Sequence, residues 1–134
     1  MKAAYITSTG AADCIQFGDL PKPVAGAGQV LLRMEAVAVN PIDTYIRGGN
    51  VKANLPNPYI IGCDVAGVVE AVGEGCQQFN VGDRVWGSNQ GLAGRQGTFA
   101  EFCAIDEKWL YQIPEGVSSE AAAAGAMVGI TAHL

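Results

Sequence analysis

The chain has 134 residues, 49% hydrophobic and 16% charged, with eight basic against thirteen acidic side chains and a formal net charge of -5. That length can bury one core without cross-links or metals, so one compact, soluble, β-rich domain is the starting expectation. With no Lys/Arg cluster, no apolar run long enough to span a bilayer, and 18 Gly and 6 Pro, the composition argues against nucleic-acid binding, a membrane span and a coiled coil.

Met1 to Ile6 lacks the apolar stretch and cleavage site of a secretory signal, which points to the cytoplasm. Cys14, Cys63, Cys76 and Cys103 show no Cys-x-x-Cys spacing, so structural zinc is disfavoured and free thiols are expected.

Lys2 to Thr7 and Cys14 to Leu20 read as an N-terminal hairpin closed by Pro21 and Pro23. From Gln29 to Val39, apolar residues alternate with Arg33 and Glu35 until Val37 and Val39 make both faces apolar, the pattern of a strand running from the surface into a core. Asn40-Pro41 supplies a helix cap and a proline at the first helical position, and Gly48-Gly49 ends that helix. An irregular, Pro-rich stretch follows from Asn50 to Tyr59. Val65 to Gly73 reads as a buried strand, Val81 to Trp86 as a turn and strand, and Thr98 to Ile105 as another strand after a Gly-rich loop. Short strands at this spacing predict a partly closed β-barrel. Beyond Pro114, Ser118 and Glu120 open an Ala-rich helix with no stop signal before Leu134, so the chain is expected to end inside a helical pattern.

Three segments, in order along nearly the whole chain, resemble the medium-chain dehydrogenase/reductase superfamily, and within it the zinc-free quinone oxidoreductase branch that includes zeta-crystallin. They are Asn40-Pro41-Ile42-Asp43-Thr44-Tyr45-Ile46-Arg47-Gly48-Gly49; Gly62-x-Asp64-x-Ala66-Gly67-x-Val69-x-x-Val72-Gly73 with Val81-Gly82-Asp83-Arg84-Val85; and Gly97-Thr98-Phe99-Ala100-Glu101-Phe102 leading to Gly129-Ile130-Thr131-Ala132. The resemblance implies a mainly β, α+β fold: a GroES-like, partly open barrel over residues 1–117, then residues 118–134 as the helix leading into a Rossmann domain absent from the chain. No Gly-x-Gly-x-x-Gly follows a strand here, so the phosphate-binding turn would lie beyond Leu134.

In the zinc-dependent branch, the position matching Asn40 is a Cys ligand and the pair matching Cys63-Asp64 is His-Glu. An Asn amide is a poor substitute for a zinc ligand, and the segment between Trp86 and Thr98, where the family's four-Cys lobe would fall, contains no Cys. No zinc is therefore expected: Cys63 is read as core and Asp64 as a hydrogen-bond or ion-pair acceptor. The lone histidine, His133, is read as a surface or capping residue.

Without a Lewis acid, simple ketone reduction loses a large contribution, whereas quinones and enones spread the incoming charge over a conjugated system. The resemblance implies NADPH as cofactor and a quinone or enone as the small-molecule partner, with the intact parent a homodimer. Tyr45 is the candidate donor to the developing oxyanion, against the alternative of a packed helix tyrosine. Asn40 is placed beside the nicotinamide by the resemblance, against a plain helix cap, and Thr131 matches a threonine that contacts the nicotinamide carboxamide, against a hydroxyl bonding within its own helix. Val51 stands where zeta-crystallin-like relatives carry a second tyrosine, which implies an altered substrate pocket. Asp43 and Arg47 are spaced for an intrahelical ion pair, and Asp83-Arg84 for turn chemistry. A metal-free enoyl or alkenal reductase, a zinc-containing alcohol dehydrogenase relative, and a non-catalytic interaction or structural barrel remain alternatives. On this reading, the 134 residues alone give no saturable quench of Trp86 or Trp109 fluorescence when titrated with NADPH; micromolar binding contradicts it.

Overall fold

The computed structural model describes residues 1–52 and 54–134; Ala53, within the Pro-rich stretch, lies outside the described residues. Among the described residues, eight strands and two α-helices follow in chain order: β1 (Lys2–Ile6), β2 (Gln16–Asp19), β3 (Gln29–Ala36), α1 (Pro41–Arg47), β4 (Tyr59–Ile60), β5 (Val65–Val72), β6 (Arg84–Gly87), β7 (Phe102–Asp106), β8 (Leu110–Gln112) and α2 (Ser119–His133). The strands form an antiparallel three-stranded sheet, β2-β1-β4, and an antiparallel five-stranded sheet, β7-β3-β5-β6-β8.

The two sheets are stitched together by the segment before β7. Ala4 N–H donates to the Phe99 carbonyl at 2.8 Å, Glu101 N–H to the Lys2 carbonyl at 3.0 Å, and Met34 N–H to the Glu101 carbonyl at 2.9 Å. This seam accounts for the difference from the expected Thr98 to Ile105 strand: its first four residues bond to two strands at once and only Phe102 onward joins the ladder. The result is the partly open barrel expected. Its core is formed where Val30 and Leu32 of β3 meet Val65 and Val69 of β5, with Val85, Ile105 and Leu110 closing the cluster.

Three other differences have local causes. The N-terminal hairpin is present, but Ala12–Cys14 form a 3-10 turn and β2 begins only at Gln16. Val37 and Val39 do not enter the core. β3 stops at Ala36, after a register shift against β5 between Met34 and Ala36, and Val39 is 75% exposed as the chain swings out to begin α1. β5 is buried through Val69, but Val72 at its end is exposed. The two- and three-residue strands β4 and β8 are too short to carry a periodic signal.

α1 forms for the reasons its sequence supplies. Pro41 presets the first helical φ, the Asp43 carboxylate accepts the Asn40 N–H at 2.8 Å, and Ile46 seals the inner face against Ile6, Tyr59 and Ile61. α2 is capped by Ser118 Oγ, which accepts the Ala121 N–H at 3.1 Å. Arg84, expected to serve the turn with Asp83, instead reaches α2: its Nη2 donates to the Val117 carbonyl at 3.0 Å and to Ser119 Oγ at 3.2 Å, while Ser119 Oγ donates to Glu35 at 2.6 Å. Asp83 does hold the turn, accepting the Asn80 N–H at 2.8 Å. Ala123, small enough for close approach, lets α2 settle on Ala66 and Ile113.

Two glycines of the sequence motif earn their places by contact. Gly62 has φ +111, and a Cβ there would come 2.5 Å from the Phe99 ring; a Cβ on Gly73 would overlap the Gly26 carbonyl. Gly73→Ala is therefore expected to lower unfolding free energy by about 1–3 kcal/mol, read from urea denaturation, because backbone has to move to admit the methyl group. An unchanged midpoint contradicts that contact.

Candidate active site

Asp64, immediately before β5, is fully buried at 0% exposure. Its Oδ2 accepts from Asn40 Nδ2 at 2.8 Å and from the Met127 backbone N–H at 3.2 Å, and its Oδ1 accepts from Ser88 Oγ at 2.6 Å. Thr98 Oγ1 donates to the Asp64 carbonyl at 2.8 Å, fixing the backbone from below. Three donors and no acceptor face the two oxygens, which is the partner set an acceptor-only carboxylate requires. These donors come from the cap of α1, the end of β6 and the middle of α2, so the barrel and both helices converge on one side chain.

Beside it lies a second buried acid. Asp43 is pushed above the usual carboxylate range mainly by burial, with the Asn40 N–H and the Cys63 thiol pulling the other way. The Cys63 thiol is raised by burial and then by the charges of Asp43 and Asp64, with Arg95 opposing. The expected Asp43–Arg47 ion pair is not formed: Asp43 Oδ1 and Arg47 Nη1 are both buried without a hydrogen-bond partner among the described residues, because Asp43 turns beneath the helix start toward Cys63. Cys63 and Cys103 are buried free thiols, as expected, and burial raises Cys103 to about 12.

The sequence-selected residues divide into two groups. Asn40 is 5% exposed and tied to Asp64, so its side chain is part of the buried frame. Tyr45 is 53% exposed on the outer side of α1, and Thr131 is exposed on α2, one turn beyond Met127. Among the described residues no hydrogen bond joins either hydroxyl to Asn40. Val51 is half-buried and packs against the cluster of Ile6, Ile46, Tyr59 and Ile61. A cavity of about 490 Å³ between Leu20, Ile60 and Phe102, and one of about 610 Å³ between Phe17, Met34 and Phe99, include none of Asn40, Tyr45 or Thr131.

Sequence reasoning saw Asp64 as an acceptor but missed Ser88 as its partner and the reach of α2 to it. The available signal was a lone acid in the apolar run from Ile60 to Val69; nothing local to Ser88 or Met127 marks them. Tyr59 was also missed: it is buried, its phenol raised by burial and its hydroxyl donating to the Gly91 carbonyl at 3.0 Å, which pins the loop after β6.

Residues 26–115 match the alcohol dehydrogenase GroES-like domain family. The chain belongs to this family. It is 34% identical over 131 residues to a human quinone oxidoreductase, covering 97% of this chain and 38% of the relative. It is 39% identical over 113 residues to a trans-enoyl reductase of Fusarium mangiferae, covering 84% and 28% respectively. The structure of an Escherichia coli quinone oxidoreductase complexed with NADPH superimposes with a TM-score of 0.91 at 26% identity, covering 99% of this chain and 39% of that one. These relationships place this GroES-like chain in the quinone oxidoreductase branch of the medium-chain dehydrogenase/reductase superfamily. The chain spans about two fifths of the length of the quinone oxidoreductases it matches. Among the described residues, no helix is long and apolar enough to cross a membrane.

The raised Asp43 carries a pH signature. A carboxyl whose folded value lies above its unfolded one binds more protons when folded, so its contribution is fully present below 3.8 and is lost as pH rises through the folded value. The stability of the wild type is expected to fall relative to Asp43→Asn as pH rises across that window. Denaturant midpoints measured side by side read the difference; parallel curves contradict a raised Asp43.

Proposed function

We propose that this chain is the catalytic, substrate-side domain of an oxidoreductase that passes hydride from NADPH to a quinone or an α,β-unsaturated carbonyl without a metal ion. The observation that carries the reading is the closed bonding of Asn40 and Asp64, two of the three positions that match the Cys and His-Glu of the zinc-dependent branch. The Asn40 amide donates to Asp64, and both Asp64 oxygens are engaged, by Asn40, Ser88 and Met127. Zinc asks for thiolate, imidazole or free carboxylate lone pairs directed at one point; here an amide stands at one of those positions and the carboxylate at another is already taken by donors.

NADPH, when bound, supplies the hydride. The chain's part is placement and charge stabilisation. Tyr45 offers a solvent-facing phenol whose O–H can donate to the oxygen of a quinone or enone as negative charge develops there. Asn40 forms the wall beside the nicotinamide, and the exposed Thr131 hydroxyl is available to the carboxamide. Val51, directed partly into the core, leaves the acceptor side without a second phenol. Residues 1–117 are the barrel and residues 118–134 the joint to a cofactor-binding domain, a division supported by the Arg84–Ser119–Glu35 contacts where α2 starts. The same reading makes the intact protein a cytoplasmic homodimer without nucleic-acid or membrane partners, in keeping with its net charge of -5.

The test is NADPH oxidation by the full-length protein with a quinone, a linear enone and a simple ketone, with and without chelator. Turnover of the conjugated acceptors that survives chelation is expected; loss on chelation overturns the metal-free assignment. Tyr45→Phe is expected to lower kcat on the order of 10²-fold, the scale for losing one oxyanion donor. Unchanged turnover removes Tyr45 from the chemistry.

A further inference from the structure

We infer that Asp64 is a positioning residue: it locks the Asn40 amide and the middle of helix α2 into one geometry, and through them sets the nicotinamide side of the site. The inference rests on the oxidoreductase reading above and adds to it a residue that touches neither acceptor nor cofactor.

The geometry makes the case. A carboxylate only accepts, so the bond from Asn40 Nδ2 determines which end of that amide faces inward, and the amide cannot flip without setting its carbonyl against Asp64 Oδ2. The same oxygen takes the Met127 N–H, a group from the interior of a helix rather than from its unsatisfied first turn. Thr131 lies on that helix one turn further on. Asn40, which the reading above puts beside the nicotinamide, and the helix carrying Thr131 are therefore referenced to one atom, while Ser88 holds the other oxygen and keeps the carboxyl plane from turning.

Cost argues the same way. Burying a carboxylate without an ion-pair partner is unfavourable, and no ion pair to Asp64 exists among the described residues. A barrel needing only a filled core at this point would be served by an apolar side chain. What the carboxylate adds is direction, imposed at once on groups from three separate elements.

The test compares wild type, Asp64→Asn and Ser88→Ala in the full-length protein, using steady-state NADPH oxidation, urea denaturation and the Asn40 side-chain amide signals in ¹⁵N–¹H spectra. Asp64→Asn turns an N–H₂ toward existing donors. The expected result is a kcat lower by about 10- to 100-fold with the acceptor KM nearly unchanged, together with a displaced or collapsed Asn40 amide pair. Ser88→Ala, which leaves the Asn40 bond in place, is expected to lower kcat by about 3- to 10-fold with the same KM pattern. A folded Asp64→Asn protein with wild-type kcat, or with an unmoved Asn40 amide pair, overturns the inference. If Asp64→Asn does not fold, Ser88→Ala decides by turnover: a folded Ser88→Ala protein with wild-type kcat overturns the inference. If the wild type oxidises no NADPH with any acceptor, the oxidoreductase reading fails, and the amide signals alone decide whether Asp64 holds Asn40.

Discussion

The structure turns on a carboxylate that water does not reach. Asp64 gathers the cap of α1, the end of β6 and the middle of α2, and none of these contacts is near it in sequence. Each charge-assisted hydrogen bond of this kind contributes about 1.5–3 kcal/mol, and removing the acceptor would deprive two buried side-chain donors, those of Asn40 and Ser88, of their partner at once. The barrel supplies the rigidity that makes such convergence possible: β5, which begins next to Asp64, is held between β3 and β6.

Around this point the protein separates frame from surface. Asn40, Asp43, Cys63 and Asp64 are buried, with Asn40 hydrogen-bonded to both carboxylates, whereas Tyr45 and Thr131 stand on the outer sides of α1 and α2. That division suits the hydride transfer to a conjugated acceptor proposed above. Planar partners of that kind need positioning more than activation, so in the proposed reaction a rigid wall with one or two exposed hydroxyls does what a metal does for simple carbonyls.

Much of the fold was legible because its signals are local. Asn40-Pro41 and Gly48-Gly49 bracket α1, Ser118 caps α2, and alternation over Val30 to Met34 marks β3; each depends on residues within one turn or one strand of each other. The misreadings share the opposite property. Val37 and Val39 carry a strand pattern but lie past a register shift imposed by β5, and the segment from Thr98 leaves the ladder because β1 and β3 both claim its backbone. The Asp43–Arg47 spacing is right for an ion pair on an isolated helix; in the fold Asp43 turns back to the helix start, where its carboxylate accepts the Asn40 N–H.

For the site, composition and motif determined which chemistry is available: an amide and a thiol where a metal-binding relative needs ligands, a tyrosine on a short capped helix, and a threonine on an Ala-rich one. Hydrogen-bonding capacity and side-chain shape belong to the residue and can be read one at a time. Only the tertiary structure decided that the amide is committed to Asp64, that Ser88 and Met127 share the same carboxyl, and that Tyr45 faces outward. Those facts depend on distances between segments 24 to 63 residues apart, set by how the sheets close and how α2 lies across them.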